Sequence, residues 1–174
     1  MFKKVLLSSL ILASAGSWAA TTVTGGTVNF EGSVVDAACA VSADSIDQTV
    51  QMGQVRTAAL ADAGATASSV PFNITLEDCD STVSSSAAVT FSGVASADDA
   101  TVLAAGQGSG AAQNVAIKIY DNSGSAVNLG ELSATTTLLD GTNTLPFVAK
   151  YFTPVGSATA GDASAQATFT MTYE

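Results

Sequence analysis

Apolar and polar positions alternate with a period of two over most of the chain beyond residue 20. From Ser164 to Tyr173 the alternation is complete: Ala165, Ala167, Phe169, Met171 and Tyr173 share one face, and Ser, Gln and Thr take the other. A strand with one buried face requires this pattern, because successive side chains point to opposite sides. The same rule predicts strands where Val115, Ile117 and Ile119 alternate with Ala116, Lys118 and Tyr120, and where Phe72, Ile74 and Leu76 alternate with Asn73, Thr75 and Glu77. Leu145, Phe147, Ala149 and Tyr151 form another such run, Val89 and Phe91 a shorter one, and Val50 with Met52 a further strand. Turn chemistry separates these runs at Asp121-Asn122-Ser123-Gly124, at Asp140-Gly141 and at Pro154-Val155-Gly156. One stretch, Arg56 to Ala63, is Ala-rich enough to predict a short helix. Seven or so short antiparallel strands with such turns predict an all-β protein, a β-sandwich.

Two N-terminal segments stand outside that domain. Lys3 and Lys4 precede an apolar stretch from Val5 to Ala15, and Ser17-Trp18-Ala19 then places small residues where a signal peptidase reads them. Residues 1–19 are therefore expected to be a signal peptide cut between Ala19 and Ala20. The apolar run is far shorter than the roughly 20 residues a membrane span needs. Residues 20–32 form an extended segment in which Thr24, Gly26, Val28 and Phe30 share one face. Its adjacent Gly25 and Gly26 weaken it as an ordinary first strand and mark a close approach of another backbone.

Composition narrows the chemistry. The 174 residues include 5 Lys and Arg against 15 Asp and Glu, and no His. Without His there is no Ser-His-Asp or Cys-His triad and almost no common zinc site. A net charge of -10 argues against a nucleic-acid partner, whose phosphates need a basic surface. Charged residues make up 11% of the chain and hydrophobic ones 47%, the reverse of a disordered acidic tail, so the chain is expected to fold. No enzyme activity, cofactor or metal is expected. Asn73-Ile74-Thr75 fits a glycosylation pattern but falls on a predicted strand, and the acidic groups around Cys79 lack the spacing of a calcium loop. The export signal places the two cysteines, Cys39 and Cys79, in an oxidising compartment. With no CxxC spacing, no His and no third Cys, a structural disulfide is expected. A closed loop of about 40 residues restricts the unfolded chain by roughly 4 kcal/mol in the entropy model.

The run from Thr21 to about Val41, including Gly25-Gly26-Thr27-Val28-Asn29-Phe30, resembles the start of a mature type 1 fimbrial major subunit, of the chaperone–usher pilin family. Asp47 to Thr57, the Phe72-Asn73-Ile74 run ending in Asp78-Cys79-Asp80, Gly141 to Phe147, Ala149-Lys150-Tyr151-Phe152 and the terminal strand with penultimate Tyr173 carry the same resemblance. It spans residues 20–174 in order and is weakest between about Ser81 and Gly110. The resemblance implies an incomplete immunoglobulin-like β-sandwich (residues 33–174) that lacks its last strand. A hydrophobic groove then lies beside the terminal strand, at Phe169, Met171 and Tyr173. It implies that a periplasmic chaperone first fills this groove. At an outer-membrane usher, the 20–32 extension of the next subunit then replaces it, inserting Thr24, Gly26, Val28 and Phe30 as a donor strand. The expected product is a Gram-negative fimbria on the outer cell surface that supports cell adhesion, with this chain as its shaft subunit. A minor or adaptor pilin is the alternative within the pathway. A sugar-binding adhesin is a lesser one, because such adhesins carry an extra lectin domain. A self-contained exported sandwich is the reading outside the pathway.

Overall fold

The computed structural model describes residues 22–174, so the expected signal peptide and its Ala19–Ala20 cut lie outside the described residues. The chain divides into a unit ending at Val34 and a unit from Val35 to Glu174. In the first, residues 22–34 adopt neither helix nor strand, and their side chains are exposed.

The second unit is a two-sheet β-sandwich. Its strands are β1 (Ala40–Val41), β2 (Thr66–Cys79), β3 (Ser86–Gly93), β4 (Leu103–Ala104), β5 (Ala116–Tyr120), β6 (Ala126–Val127), β7 (Thr136–Thr137), β8 (Gly141–Phe152) and β9 (Ala167–Tyr173). The larger sheet runs β1-β2-β8-β5-β4 with β6 also on β5, and the smaller runs β7-β3-β9. All strand pairs are antiparallel. Four of the predicted alternations turn their apolar side chains inward. Ile74 and Leu76 of β2, Ile117 and Ile119 of β5, and Leu145, Phe147 and Ala149 of β8 are buried, and Val89 and Phe91 of β3 join them in the core. The Phe91 and Phe147 rings meet edge to face at 5.1 Å, and Phe72 lies 5.6 Å from Phe147. Aromatic pairs at such distances add to simple area burial.

Three local expectations change. Val50 and Met52 are not in a strand. Beyond the Ala43–Ser45 3₁₀ turn no ladder forms along β2: Ser42 N–H donates to the Thr75 carbonyl (2.9 Å), and two side chains make the other bonds, Thr75 N–H donating to Ser45 Oγ (2.8 Å) and Gln48 Nε2 donating to the Asn73 carbonyl (3.1 Å). Asp47 and Gly53, with φ of 57° and 68°, break the extension that a ladder needs. Met52 still packs against the core, which is why its hydrophobicity mimicked a strand. Arg56 to Ala63 forms only a 3₁₀ turn over Thr57–Leu60, anchored by buried Leu60. The terminal strand begins at Ala167 rather than Ser164, and Ala165 and Ala167 are exposed. At the Asp121–Gly124 turn the Asp121 carboxylate accepts from the Ser123 hydroxyl (2.6 Å) and from the Ser123 and Ser125 amides (2.9 and 3.0 Å).

Candidate functional site

The terminal strand β9 is the edge of the smaller sheet and, among the described residues, pairs only with β3. Its hydrogen-bond phase follows from its end. Glu174 and Ser86 exchange both backbone bonds (3.0 Å each), and the register from Tyr173↔Ala87 to Ala167↔Gly93 runs without a shift. Directly opposed residues in an antiparallel pair alternate between bonded and non-bonded. Thr172, Thr170 and Thr168 therefore bond to β3, while the N–H and C=O groups of Tyr173, Met171, Phe169 and Ala167 point away from it. The far side of β3 gives the same phase: the carbonyls of Val89 and Phe91, opposite Met171 and Phe169, accept from Ser133 and Gly130 amides (2.8 Å each) on the side away from β9.

Phe169, Met171 and Tyr173, whose main-chain groups face the open edge, turn their side chains toward the core but are only half covered. Val41, Met52, Val55 and Phe72, on or beside the larger sheet, are likewise half covered and pack against the same core. At the sheet edge of that layer β1 covers just two residues of β2, Glu77 and Leu76. At this edge the Tyr173 hydroxyl donates across to the Cys39 carbonyl (3.3 Å), and burial pushes the Tyr173 pKa up. Cys39 is bonded to Cys79, both buried, which ties the chain entering β1 to the end of β2. A sandwich with a bare backbone edge above a half-covered apolar floor lacks one strand, because natural sheets otherwise cover or charge such edges.

The structure thus brings Tyr173 to the Cys39–Cys79 bond, with Met171 and Phe169 further along the same strand edge. Thr24, Gly26, Val28 and Phe30 belong to the separate extended unit, where Val28 and Phe30 are 73% and 92% exposed. The periodicity of β9 did not reveal which main-chain groups are free, nor the Tyr173–Cys39 contact. The first depends on the pairing partner and the second on the disulfide. Among the described residues no group of three or more His, Cys, Asp or Glu is placed to hold a metal ion.

A sequence model of the family described as "Fimbrial protein" matches residues 28–174. The type-1 fimbrial protein A chain of Escherichia coli K12 is 54% identical over 98% of this chain and 96% of its own length. The fimbrial subunit type 1 of Klebsiella pneumoniae is 53% identical over the same shares. Among solved structures, the P pilus rod subunit PapA superposes with a TM-score of 0.67 at 29% identity, covering 79% of this chain and all of that one. A subunit from a chaperone–usher pilus, solved for the molecular basis of rod uncoiling, gives a TM-score of 0.73 at 28% identity over 89% of this chain and all of that one.

Proposed function

This chain belongs to the fimbrial protein family and is a structural, non-enzymatic subunit of a pilus shaft in a surface fimbria, and we propose that its copies join head to tail by donor-strand exchange at the open edge of β9. The observation that carries this reading is the phase of β9. Four residues at every second position, Ala167, Phe169, Met171 and Tyr173, present main-chain donors and acceptors beside an incompletely covered core. The extension offers four residues with the same spacing: Thr24, Gly26, Val28 and Phe30. In β-augmentation main-chain bonds supply affinity and alternate side chains in pockets supply register. Burying Val28 and Phe30 contributes about 1.5–3 kcal/mol each. Gly26, lacking a side chain, suits a shallow point of the groove. Because donor segment and acceptor groove are different surfaces, the contact is heterologous and extends without closing, so it makes a filament.

In the same reading residues 1–19 direct export to the periplasm with cleavage at Ala19–Ala20, residues 20–32 are the donor segment, and residues 33–174 are the pilin domain. A periplasmic chaperone covers the groove until an outer-membrane usher exchanges it for the next subunit's extension. That a related chaperone–usher pilus has a rod that uncoils supports a coiled shaft for this chain too. The test is electrophoresis of purified surface fibres in detergent, unheated and boiled. A ladder of multimers that collapses to monomer on boiling is expected, and deletion of residues 20–30 removes it. Undiminished multimers from the deleted chain would overturn the donor assignment.

A further inference from the structure

Lys118 of β5 and Lys150 of β8 are direct cross-strand partners. Like charges placed opposite each other on a sheet face destabilise it, so this pairing calls for a compensation. Part of it is local. The Lys118 ammonium lies 4.7 Å from the centroid of the Phe152 ring, and the Lys150 ammonium 4.6 Å from that of Tyr120. Phe152 and Tyr120 are the diagonal neighbours in the same register. All four side chains therefore share the face opposite to buried Ile117, Ile119, Ala149 and Tyr151. Phe152 is covered there by Val102 and Ala116, while Lys118, Lys150 and Tyr120 remain half exposed. An aromatic face holds an ammonium in place, so the two ammonium groups are fixed side by side; Lys118 also acts electrostatically on the Asp99 carboxylate of its own chain, while Lys150 opposes it on the sheet.

The rest of the chain makes this island unusual. Residues 22–174 contain three basic residues, Arg56, Lys118 and Lys150, against fifteen Asp and Glu, a net charge of 3 − 15 = −12. Two of the three positive charges are thus concentrated side by side on an otherwise acidic unit. We propose that the face formed by Lys118, Lys150, Tyr120 and Phe152 is a lateral docking surface that receives carboxylates of another copy of this chain within the shaft. The occupant follows from charge complementarity. A shaft subunit is surrounded by copies that each carry this excess of carboxylates, and their mutual repulsion is relieved where a carboxylate meets a held ammonium. The surface lies on the central strands of the larger sheet, whereas the donor strand engages β9 of the smaller one, so the two contacts are separate.

The inference rests on the shaft reading, and the experiment separates the two. Fibres of the full chain and of the Lys118→Gln/Lys150→Gln variant are compared in unheated detergent, and their coiled fraction is measured by electron microscopy from 0.15 M to 1 M NaCl. The Debye length falls from about 8 Å to 3 Å over that range. The wild type is expected to lose coil as salt rises. The variant is expected to start with a severalfold lower coiled fraction and little salt response, with an unchanged multimer ladder. Treating mixed-isotope wild-type fibres with a carbodiimide should link Lys118 or Lys150 to an Asp or Glu of a different copy. Equal coiling and equal salt response in both fibres, or links confined within one copy, would overturn the proposal. A wild type that forms no ladder would refute the polymer reading instead.

Discussion

The phase of β9 separates two neighbouring proline substitutions that sequence alone would rank together. Thr170 N–H bonds to β3, opposite Thr90, whereas Met171 N–H points to the open edge. Thr170→Pro removes a ladder bond, about 1 kcal/mol, and leaves the half-buried Thr90 carbonyl without its donor, about 1–3 kcal/mol. Measured against Thr170→Ala, the subunit should lose roughly 2–4 kcal/mol in total. Met171→Pro removes a donor that the isolated subunit does not use, and proline is tolerated on an edge strand whose N–H faces outward. Measured against Met171→Ala, which corrects for the lost side chain, it should cost the subunit less than about 1 kcal/mol. Urea unfolding followed by circular dichroism reads the difference. With a slope of about 2 kcal/mol per M, Thr170→Pro shifts the midpoint by roughly 1–2 M and Met171→Pro by well under 0.5 M. In fibres the order changes, because Met171→Pro also deletes one intersubunit bond. Fibres of that variant should dissociate about fivefold faster in detergent than those of Met171→Ala, the equivalent of about 1 kcal/mol. Equal midpoint shifts for the two prolines would refute the assigned phase. Unchanged fibre dissociation for Met171→Pro would refute pairing of the donor with this edge.

Cys39→Ala/Cys79→Ala should lower subunit stability by about 4 kcal/mol, a midpoint shift near 2 M urea, given a sequence separation of 40; a shift under about 0.3 M would show that the bond does not constrain the unfolded chain as argued. Gly26→Leu should leave the Cys39–Cys79 bond and the unfolding midpoint unchanged while giving few or short fibres, and long fibres of normal detergent resistance would defeat the donor register. Stability should be flat from pH 7 to about 5 and fall below about pH 4. Asp80, Asp99 and Asp140 are held below the ordinary aspartate value of 3.8, chiefly by the hydroxyls of Thr82, Thr101 and Ser81. At Asp121 burial pushes the carboxyl up, but hydrogen bonds from Ser123 and Ser125 together outweigh it and the net shift is also downward. Carboxyls lowered by folding contribute above their unfolded pKa and lose that contribution as pH falls through their folded values, so Asp121→Ala should flatten the acid limb measured by thermal unfolding.

Much of the fold was legible because a strand's signature is local. Alternation at Phe72–Leu76, Val115–Ile119, Leu145–Tyr151 and Phe169–Tyr173 needs only neighbours in sequence, and each run forms a strand with its apolar side chains turned to the core. Two cysteines with no competing ligands read equally directly as a bond, and the glycine-rich extension stood apart from the domain by its own pattern. What stayed hidden depends on a partner. Val50 and Met52 carry strand-like hydrophobicity, yet beyond Ser42 that edge of β2 bonds to the Ser45 and Gln48 side chains rather than to a continuing strand, a choice made by contacts about 25–30 residues away. The free main-chain edge at Ala167, Phe169, Met171 and Tyr173 is invisible in their periodicity. Alternation assigns side chains to faces, but only the register with β3 assigns N–H groups to edges. Lys118 and Lys150 likewise look like two scattered solvent-facing charges until the β5–β8 register sets them opposite each other, each beneath the other strand's aromatic ring. The sequence by itself determined which residues face inward, through the two-residue repeat of the backbone. Which strand edge stays open and which charges become neighbours were decided by tertiary pairing.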